Sequence, residues 1–428
     1  MSDGFAQKRC QLRLRSPVIP ESRCEECLVS FVAWTKILPR RIALGTGLVK
    51  GRPAFRRQTS PLAFPLTLFK RAAMLQPSLS NATGGMIMKW AHTIFCTSLV
   101  ILMCWTSGST QSRTHDLKLL PQNIHWGYYD AQLKPVLRIT SGDTIRVETM
   151  VARGLERLRL AGAREEEIPE ALKVIESVVK DRGPGAHPMT GPVFVDDAQP
   201  GDTLEVRIQS FEFLHSYGVT GFLPGGGTLP EQFPYGGLKL IRVNEKAGTA
   251  EFGPGMTLKL APFFGSIGVA PPVLMGRVSS GPPGPHVGNI DNKDLVAGSV
   301  LYLPVHVPGA LLSFGDGHGL QGDGEVSGTA LETSLRGTVQ IFLRKGKKLT
   351  WPRAETPTHY MTMGLHQDLD EAAKMAVKEM IDFLVSEKNM KPEDAYLLCS
   401  LAADLHVTQT VDVTKGVHAM LAKSIFRQ

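Results

Sequence analysis

From Leu133 onward the chain is a succession of short apolar-polar runs closed off by turn residues, and this pattern constrains the fold more than any other feature. The runs read "LKPVLRIT", "TIRVETMV", "TLEVRIQSFEFL", "LKLIRVN", "GTAEFGPGMTLKL", "SVLYLPVHV" and "GTVQIFLRK", each bounded by Gly, Pro, Asn or Asp. Alternation at a period of two lays one face of a strand on a core, and the bounding residues supply the backbone conformations that tight turns demand. The expected body is therefore mainly β, a two-lobed antiparallel β-sandwich or barrel with a few peripheral helices, including helices near the C-terminus. Composition agrees, since 43 Gly and 29 Pro in 428 residues suit a turn-rich β protein and fall short of a low-complexity chain. Two runs share an entry, Gly142-Asp143-Thr144 and Gly201-Asp202-Thr203, and Gly298-Ser299-Val300 echoes it.

The formal net charge of +7 divides unevenly along the chain. Residues 1–85 carry 14 Lys and Arg against four Asp and Glu, while the rest carries 33 basic against 36 acidic side chains. The body is thus slightly acidic, and no nucleic-acid partner is expected. Between the two regions, residues Met86 to Ser112 place Lys89 before an apolar run from Ile94 to Trp105, followed by Thr106, Ser107, Gly108 and Ser109. That order is the layout of a signal peptide, and an apolar run of about 12 residues is short of the ~20 that span a bilayer. Export to the periplasm or the extracellular space is expected, with no stable membrane anchor. Residues 1–85 are read as a basic extension, disordered or upstream of a true start at Met86 or Met88. Neither the lone Cys24/Cys27 pair nor the Asn81-Ala82-Thr83 triplet within it is assigned a function. Residues 113–428 form the expected catalytic body, and with Cys399 as their one cysteine they are no disulfide scaffold.

Three helices are expected on the periphery. "REEEIPEALKVIESVVKD" (Arg164 to Asp181) and "DLDEAAKMAVKEMIDFLVSE" (Asp368 to Glu387) repeat apolar residues at helical spacing, and Pro392 opens a third that carries Cys399 on a core face. Chemistry is sought instead in the stretch from Gly288 to Glu332, which packs Asp291, Asp294, Asp316, His318, Asp323, Glu325 and Glu332 among glycines. Asp316 and His318 are two apart, so an extended backbone turns both to one face, and the glycine-rich turn can bring Glu325 back to them. Carboxylate and imidazole ligands without thiolates suit a catalytic zinc or another divalent ion; a solvated turn or a structural calcium loop is the competing reading. The Gly317, Gly319, Gly322 match to a dinucleotide-binding fingerprint is set aside, because no helix pattern follows it and its acidic neighbours would repel a pyrophosphate.

The block "GNIDNKDLVAGSVLYLPVHVPGALLSFGDGHGLQGDGEVSGTALE" resembles the signature of the acetamidase/formamidase family. The likeness runs from "IHWGYYD" through "HPMTGPVFVDDAQPGDTLEV" and "YGVTGFLPGGGTL" to "LCSLAADLHVTQTVDVTKGVHAM", and is nearest to the branch that bears signal peptides. The resemblance implies hydrolysis of short aliphatic amides, a jelly-roll β fold, divalent-metal dependence and a homo-oligomer. Its motifs land on Asp291, Asp316, His318, Glu325, His125 and His187. Glu325, His318 and Asp316 are expected to be catalytic, His187 and Asp291 to bind substrate, and His125, Asp316 and His318 to hold metal, with zinc expected and calcium the alternative. His125 is read equally as a packed histidine of an aromatic cluster, His187 as a turn-stabilising residue and Asp291 as a turn cap. Gly319 and Leu320 depart from the family pattern, where alanine or another small residue is expected. Hydrolysis of another C–N bond, such as a γ-lactam, and non-catalytic binding by a secreted sandwich are the alternative functions.

Overall fold

The computed structural model describes residues 112–426, so the basic extension and nearly all of the segment read as a signal peptide lie outside the described residues. The body is mainly β. One sheet orders its strands Thr114–Leu117, Thr144–Glu148, Leu335–Arg344, Thr203–Phe213, Val300–Pro304, Arg353–Glu355, His359–His366, Lys415–Ala422 and Ala403–Gln409. A second sheet is built around strand Leu312–His318, which pairs with Phe263–Gly268 and Glu332–Thr333 and also with Pro188–Val195. Inward-facing residues of both sheets share one core. Ile145, Val206, Leu303, Val339 and Ile341 from the first meet Val193, Phe264, Ile267, Leu312 and Phe314 from the second. Strand Leu335–Arg344 shows the origin of that core in sequence, its residues alternating buried and half-buried over eight positions.

The three related strand entries all feed the first sheet, so they are repeated turns within one layer. In each, the residue after the glycine donates its N–H to the carbonyl three residues back: Asp143 to Thr140, Asp202 to Gln199 and Ser299 to Val296. Gly142, Gly201 and Gly298 adopt φ of 100°, 93° and 93°, the conformation that such a turn requires and that glycine alone adopts without strain. In the two aspartate versions the carboxylate also accepts the N–H that opens the turn, from Thr140 at 3.1 Å and Gln199 at 2.9 Å. The aspartate thus closes the loop from both ends.

The helices differ from expectation in two places, the first being an unforeseen short α-helix, Leu155–Leu160. Arg164 to Asp181 is a short 3-10 turn, Glu165–Glu167, followed by an α-helix, Glu170–Val178. Pro169 separates them, because proline pushes the preceding residue, Ile168, into an extended conformation. Helix Leu369–Lys388 forms where its periodicity placed it. Asp368 caps it by accepting the N–H groups of Asp370 and Glu371, and Asn389 ends it with a φ of 55°. It lies on strands His359–His366 and Lys415–Ala422 through Ala372, Ala376, Met380 and Leu384. Helix Pro392–Ala402 buries Cys399 as expected.

Gly364 permits the long helix to sit close on the sheet. A Cβ at this position would collide with the Ala372 carbonyl and lie 2.7 Å from the Ala376 nitrogen, both backbone atoms that cannot move aside. Gly364→Ala should therefore destabilise the protein by ~1–3 kcal/mol, the usual cost of overpacking, which urea unfolding would measure. Unchanged stability would mean that the helix can slide away freely.

Candidate active site

Strand Leu312–His318 carries Asp316 and His318 into the centre of the second sheet. Cross-strand register puts Glu332 directly opposite His318. Asp291 arrives on the loop after strand Val287–Asn289, and Glu325 on the turn that follows Gly322-Asp323-Gly324. All four acidic residues are buried, and His318 is wholly inaccessible. Asp291, Asp316 and Glu325 have φ of 49°, 55° and 44°, a region that non-glycine residues seldom occupy. Three strained carboxylates converging on one histidine are a concentration of the kind found at functional sites.

The His318 ring is oriented from behind. Its Nδ1 lies 3.0 Å from Gln321 Oε1, and the same amide donates to the Asp291 carbonyl at 2.6 Å. With Nδ1 donating, Nε2 faces Asp316 Oδ2 at 3.3 Å, Glu332 Oε2 at 3.5 Å and Asp291 Oδ1 at 4.0 Å. Despite these distances Nε2 has no hydrogen-bond partner, nor do Asp291 Oδ1, Asp316 Oδ1 and Glu332 Oε2. His187 repeats the arrangement on the other side of Asp316. Its Nδ1 lies 2.9 Å from the Ser280 carbonyl, and Nε2 stands 3.6 Å from Asp316 Oδ2.

Electrostatics divide the carboxylates. Burial and the neighbouring negative charges raise the proton affinity of Asp291 and Glu325 well above the ordinary carboxylate range. Asp412, which shares the Asn289 amide with Asp291, is raised as well, chiefly by burial. Asp316 goes the other way: although burial opposes it, His187 and His318 hold its carboxyl below the usual value. His318 is correspondingly raised, because Asp316 and Glu332 outweigh its desolvation.

Of the residues expected from sequence, Asp316, His318, Asp291 and Glu325 come together, with His187 at the edge. Asp291, Asp316 and His318 offer ligand atoms within 4.8 Å of one another, as do His318, Glu325 and Glu332, and Asp291, Glu325 and Asp412. His125 does not join them. Its Nδ1 is bonded to the Tyr128 carbonyl at 2.8 Å and its Nε2 to Ser313 Oγ at 2.9 Å, so the ring is committed to a carbonyl and a hydroxyl and meets none of the cluster's carboxylates. It packs near Tyr128 and Tyr129, and burial lowers its pKa to about 4. The aromatic-cluster reading of His125 is the correct one.

Glu332 and Asp412 complete the cluster, though neither was selected from sequence. Glu332 ends the same polar block, and its position opposite His318 depends on strand register. Asp412 lies 80 residues further on, in "VTQTVDVTKG". Gly265 is the third unforeseen part. A Cβ there would strike Asp291 Oδ1 and lie 2.8 Å from both Asp316 Oδ2 and His318 Cε1, so the glycine leaves the space in which the three groups converge. Gly319 has a packing reason as well, since a Cβ there would come within 3.1 Å of Leu331 Cδ2. A cavity of about 280 Å³ approaches the cluster beside Asp412, walled by Arg157, Phe222, Leu238 and Thr329.

The donor set fits a divalent cation. One cluster holds four buried polar atoms without partners, His318 Nε2, Asp291 Oδ1, Asp316 Oδ1 and Glu332 Oε2, and all are oxygen or imidazole donors. The chain matches the model of the Acetamidase/Formamidase family over residues 122–278 and 275–428. It belongs to that family. Among solved structures, an acetamidase from Bacillus halodurans is 32% identical, with 73% of this chain and 98% of that one covered and a TM-score of 0.62. An acetamidase from Yersinia enterocolitica is 29% identical, with 76% and 96% covered and a TM-score of 0.65. A formamidase from Methylophilus methylotrophus is 27% identical over 192 residues, 33% of this chain and 47% of the relative. The chain spans about half the length of the curated relatives it matches.

This acetamidase/formamidase family member should show an unusual pH dependence when free of metal. Asp291, Glu325 and Asp412 bind protons more tightly folded than unfolded, so their contribution to stability falls as pH rises above the ordinary carboxylate range. His318, raised in the fold, contributes in the same direction, while the lowered Asp316 stays ionised throughout and changes nothing. Chelator-treated protein should therefore melt at a higher temperature at pH 5 than at pH 8, and added zinc should remove or reverse the difference. A flat profile in the metal-free protein would contradict the burial of these groups.

Proposed function

We propose that the protein hydrolyses short aliphatic amides of the acetamide and formamide type to a carboxylate and ammonia, using zinc held in the carboxylate–histidine cluster. The observation that carries this reading is His318 Nε2 facing three carboxylates without a hydrogen bond, inside a family that includes acetamidases and formamidases. Asp291, Asp316 and His318, which offer ligand atoms within 4.8 Å of one another, would hold the ion. Such an ion, when bound, acts as a Lewis acid that polarises an amide carbonyl and makes a nearby water acidic near neutral pH.

The chain's own residues supply the proton traffic. Glu325, buried and with a strong affinity for protons, accepts one from the attacking water as the C–O bond forms. It returns that proton to the amide nitrogen as the C–N bond breaks, so the nitrogen leaves as ammonia. His187 and Gln321 keep Asp316 and His318 in position through the bonds described above. Arg157 brings a buried positive charge toward Glu332 and Asp316 from the cavity wall, which favours an electron-rich carbonyl oxygen at that end.

Ammonia release from formamide, acetamide and propionamide tests the reading directly. Glu325→Gln should lower turnover by ~10²–10⁴-fold with the bound metal retained, the range of a lost general acid–base. His125→Ala should keep its metal and lose about 1–3 kcal/mol of stability, because it strips partners from two buried groups. Full amidase turnover in Glu325→Gln would sink the mechanism, and no ammonia from any of the three amides with zinc-loaded protein would sink the substrate class.

Export and self-association belong to the same proposal, supported by residues 86–112 and by the family resemblance. No helix among the described residues is long and apolar enough to cross a membrane. N-terminal sequencing of secreted protein and its mass by light scattering would test both.

A further inference from the structure

A second constellation of ligands lies on the far side of the Gln321 bridge, and the mechanism does not use it. Strands Ala403–Gln409 and Lys415–Ala422 pair in a register that sets His406 directly across from His418. Directly opposed residues on an antiparallel ladder share a face, and here the two imidazole rings are 5.1 Å apart. The loop after strand Val287–Asn289, which also carries Asp291, delivers Asp294 to the same place. Its Oδ2 is 3.0 Å from His418 Nε2, and one donor atom each from Asp294, His406 and His418 lies within 4.8 Å of the others. On the open side Asp323 Oδ2 is 3.6 Å from His406 Nδ1 and is held by Lys293 Nζ at 2.9 Å.

A hydrogen-bonded Asp294–His418 pair would explain only part of this arrangement. His406 Nδ1 is buried without a hydrogen-bond partner, and Asp323 Oδ2 is its nearest acidic oxygen at 3.6 Å. His418 is wholly buried, with Thr408 Oγ1 at 2.8 Å from its Nδ1. His418 Nε2 meets Asp294 Oδ2 directly at 3.0 Å; an ion entering between them would take the Nε2 lone pair, with the ring proton moved to Nδ1 and donated to the Thr408 hydroxyl, the outer partner that a metal-ligating histidine needs. Two imidazoles and a carboxylate without thiolates select zinc or a neighbouring transition ion over calcium or magnesium.

We propose that Asp294, His406 and His418 form a second zinc site, distinct from the amidase cluster, with Asp323 closing it once released from Lys293. The site clamps the C-terminal hairpin to the loops that carry the catalytic carboxylates. Gly324 N donates to the Val407 carbonyl at 2.7 Å, and Gln321 reaches from His318 to the Asp291 carbonyl, so both loops already lean on this hairpin. An ion bound by Asp294 and the two histidines would lock that contact, and its binding energy would add to the stability of the fold.

Zinc content of the full chain, measured by elemental analysis and native mass spectrometry after equilibration with zinc alone, tests the proposal. The wild type should bind two ions per chain, His406→Ala and Asp294→Asn one each, and His318→Ala also one. His406 is partly exposed, and Asp294→Asn keeps the side-chain shape, so at least one of these variants should fold as the wild type does. The zinc-induced rise in melting temperature should shrink in both second-site variants while amide turnover at saturating zinc persists. Equal zinc content in wild type, His406→Ala and Asp294→Asn overturns the second site. Loss of an ion in those variants but not in His318→Ala would instead overturn the catalytic metal and leave the second site standing.

Discussion

The structure depends on confining like charges. Asp291, Asp316, Glu325 and Glu332 crowd, buried, around one imidazole, with Asp412 beside Asp291 and Glu325 at the edge of the cavity. Two unit charges 4 Å apart repel by about 4 kcal/mol even at an effective dielectric of ~20, and the whole stability of a domain is only about 5–15 kcal/mol. Several unscreened pairs of that size would unfold the protein. Protons on Asp291 and Glu325, the imidazolium character of His318, or a bound cation must therefore balance the cluster in any state that persists. The same imbalance favours the cation proposed for this site and raises the proton affinity of its carboxylates.

A β-sandwich can withstand this load because the groups enter from separate, rigid elements. Asp316 and His318 ride on a strand paired on both sides, Glu332 comes from its neighbour, and Asp291 and Glu325 are set on turns at the strand ends. The first sheet and the shared core behind these strands leave little freedom for the carboxylates to separate. Backbone strain is the local consequence, visible in the positive φ of three acidic residues. Gly265 is the complementary device on the adjacent strand, where the absence of a side chain creates the space that the charges fill.

How much of this could be read from the chain follows from the range of each interaction. Strand runs, the Gly-Asp turns and the helix at Asp368 rest on local periodicity and backbone preference, which a sequence displays directly. Asp316, His318 and Glu325 were legible because they lie within ten residues of one another in a polar, glycine-rich block. Asp412 and Gly265 were not, since their roles depend on register and on which strands become neighbours. His125 misled for the opposite reason: its motif suits a ligand, yet both ring nitrogens are consumed by partners, one of them 188 residues away. Pro169 was a local signal given too little weight against a strong apolar period.

The route from His318 through Gln321 to Thr408 and His418 explains why the C-terminal hairpin belongs to the catalytic body. Gln321 offers its oxygen to His318 and its nitrogen to the Asp291 carbonyl, with the Thr408 carbonyl 3.4 Å beyond. Thr408 in turn fixes His418, whose other nitrogen meets Asp294, only three residues past Asp291. Hydrogen bonds carry the path as far as Asp294, and the backbone between Asp294 and Asp291 returns it to the cluster. The link that bears on His318 is Gln321, held between the Asp291 and Thr408 carbonyls. The rotamer of His318, and with it the direction of Nε2 toward the carboxylates, is therefore set in part by a hairpin whose own sequence carries Asp412 into the same site.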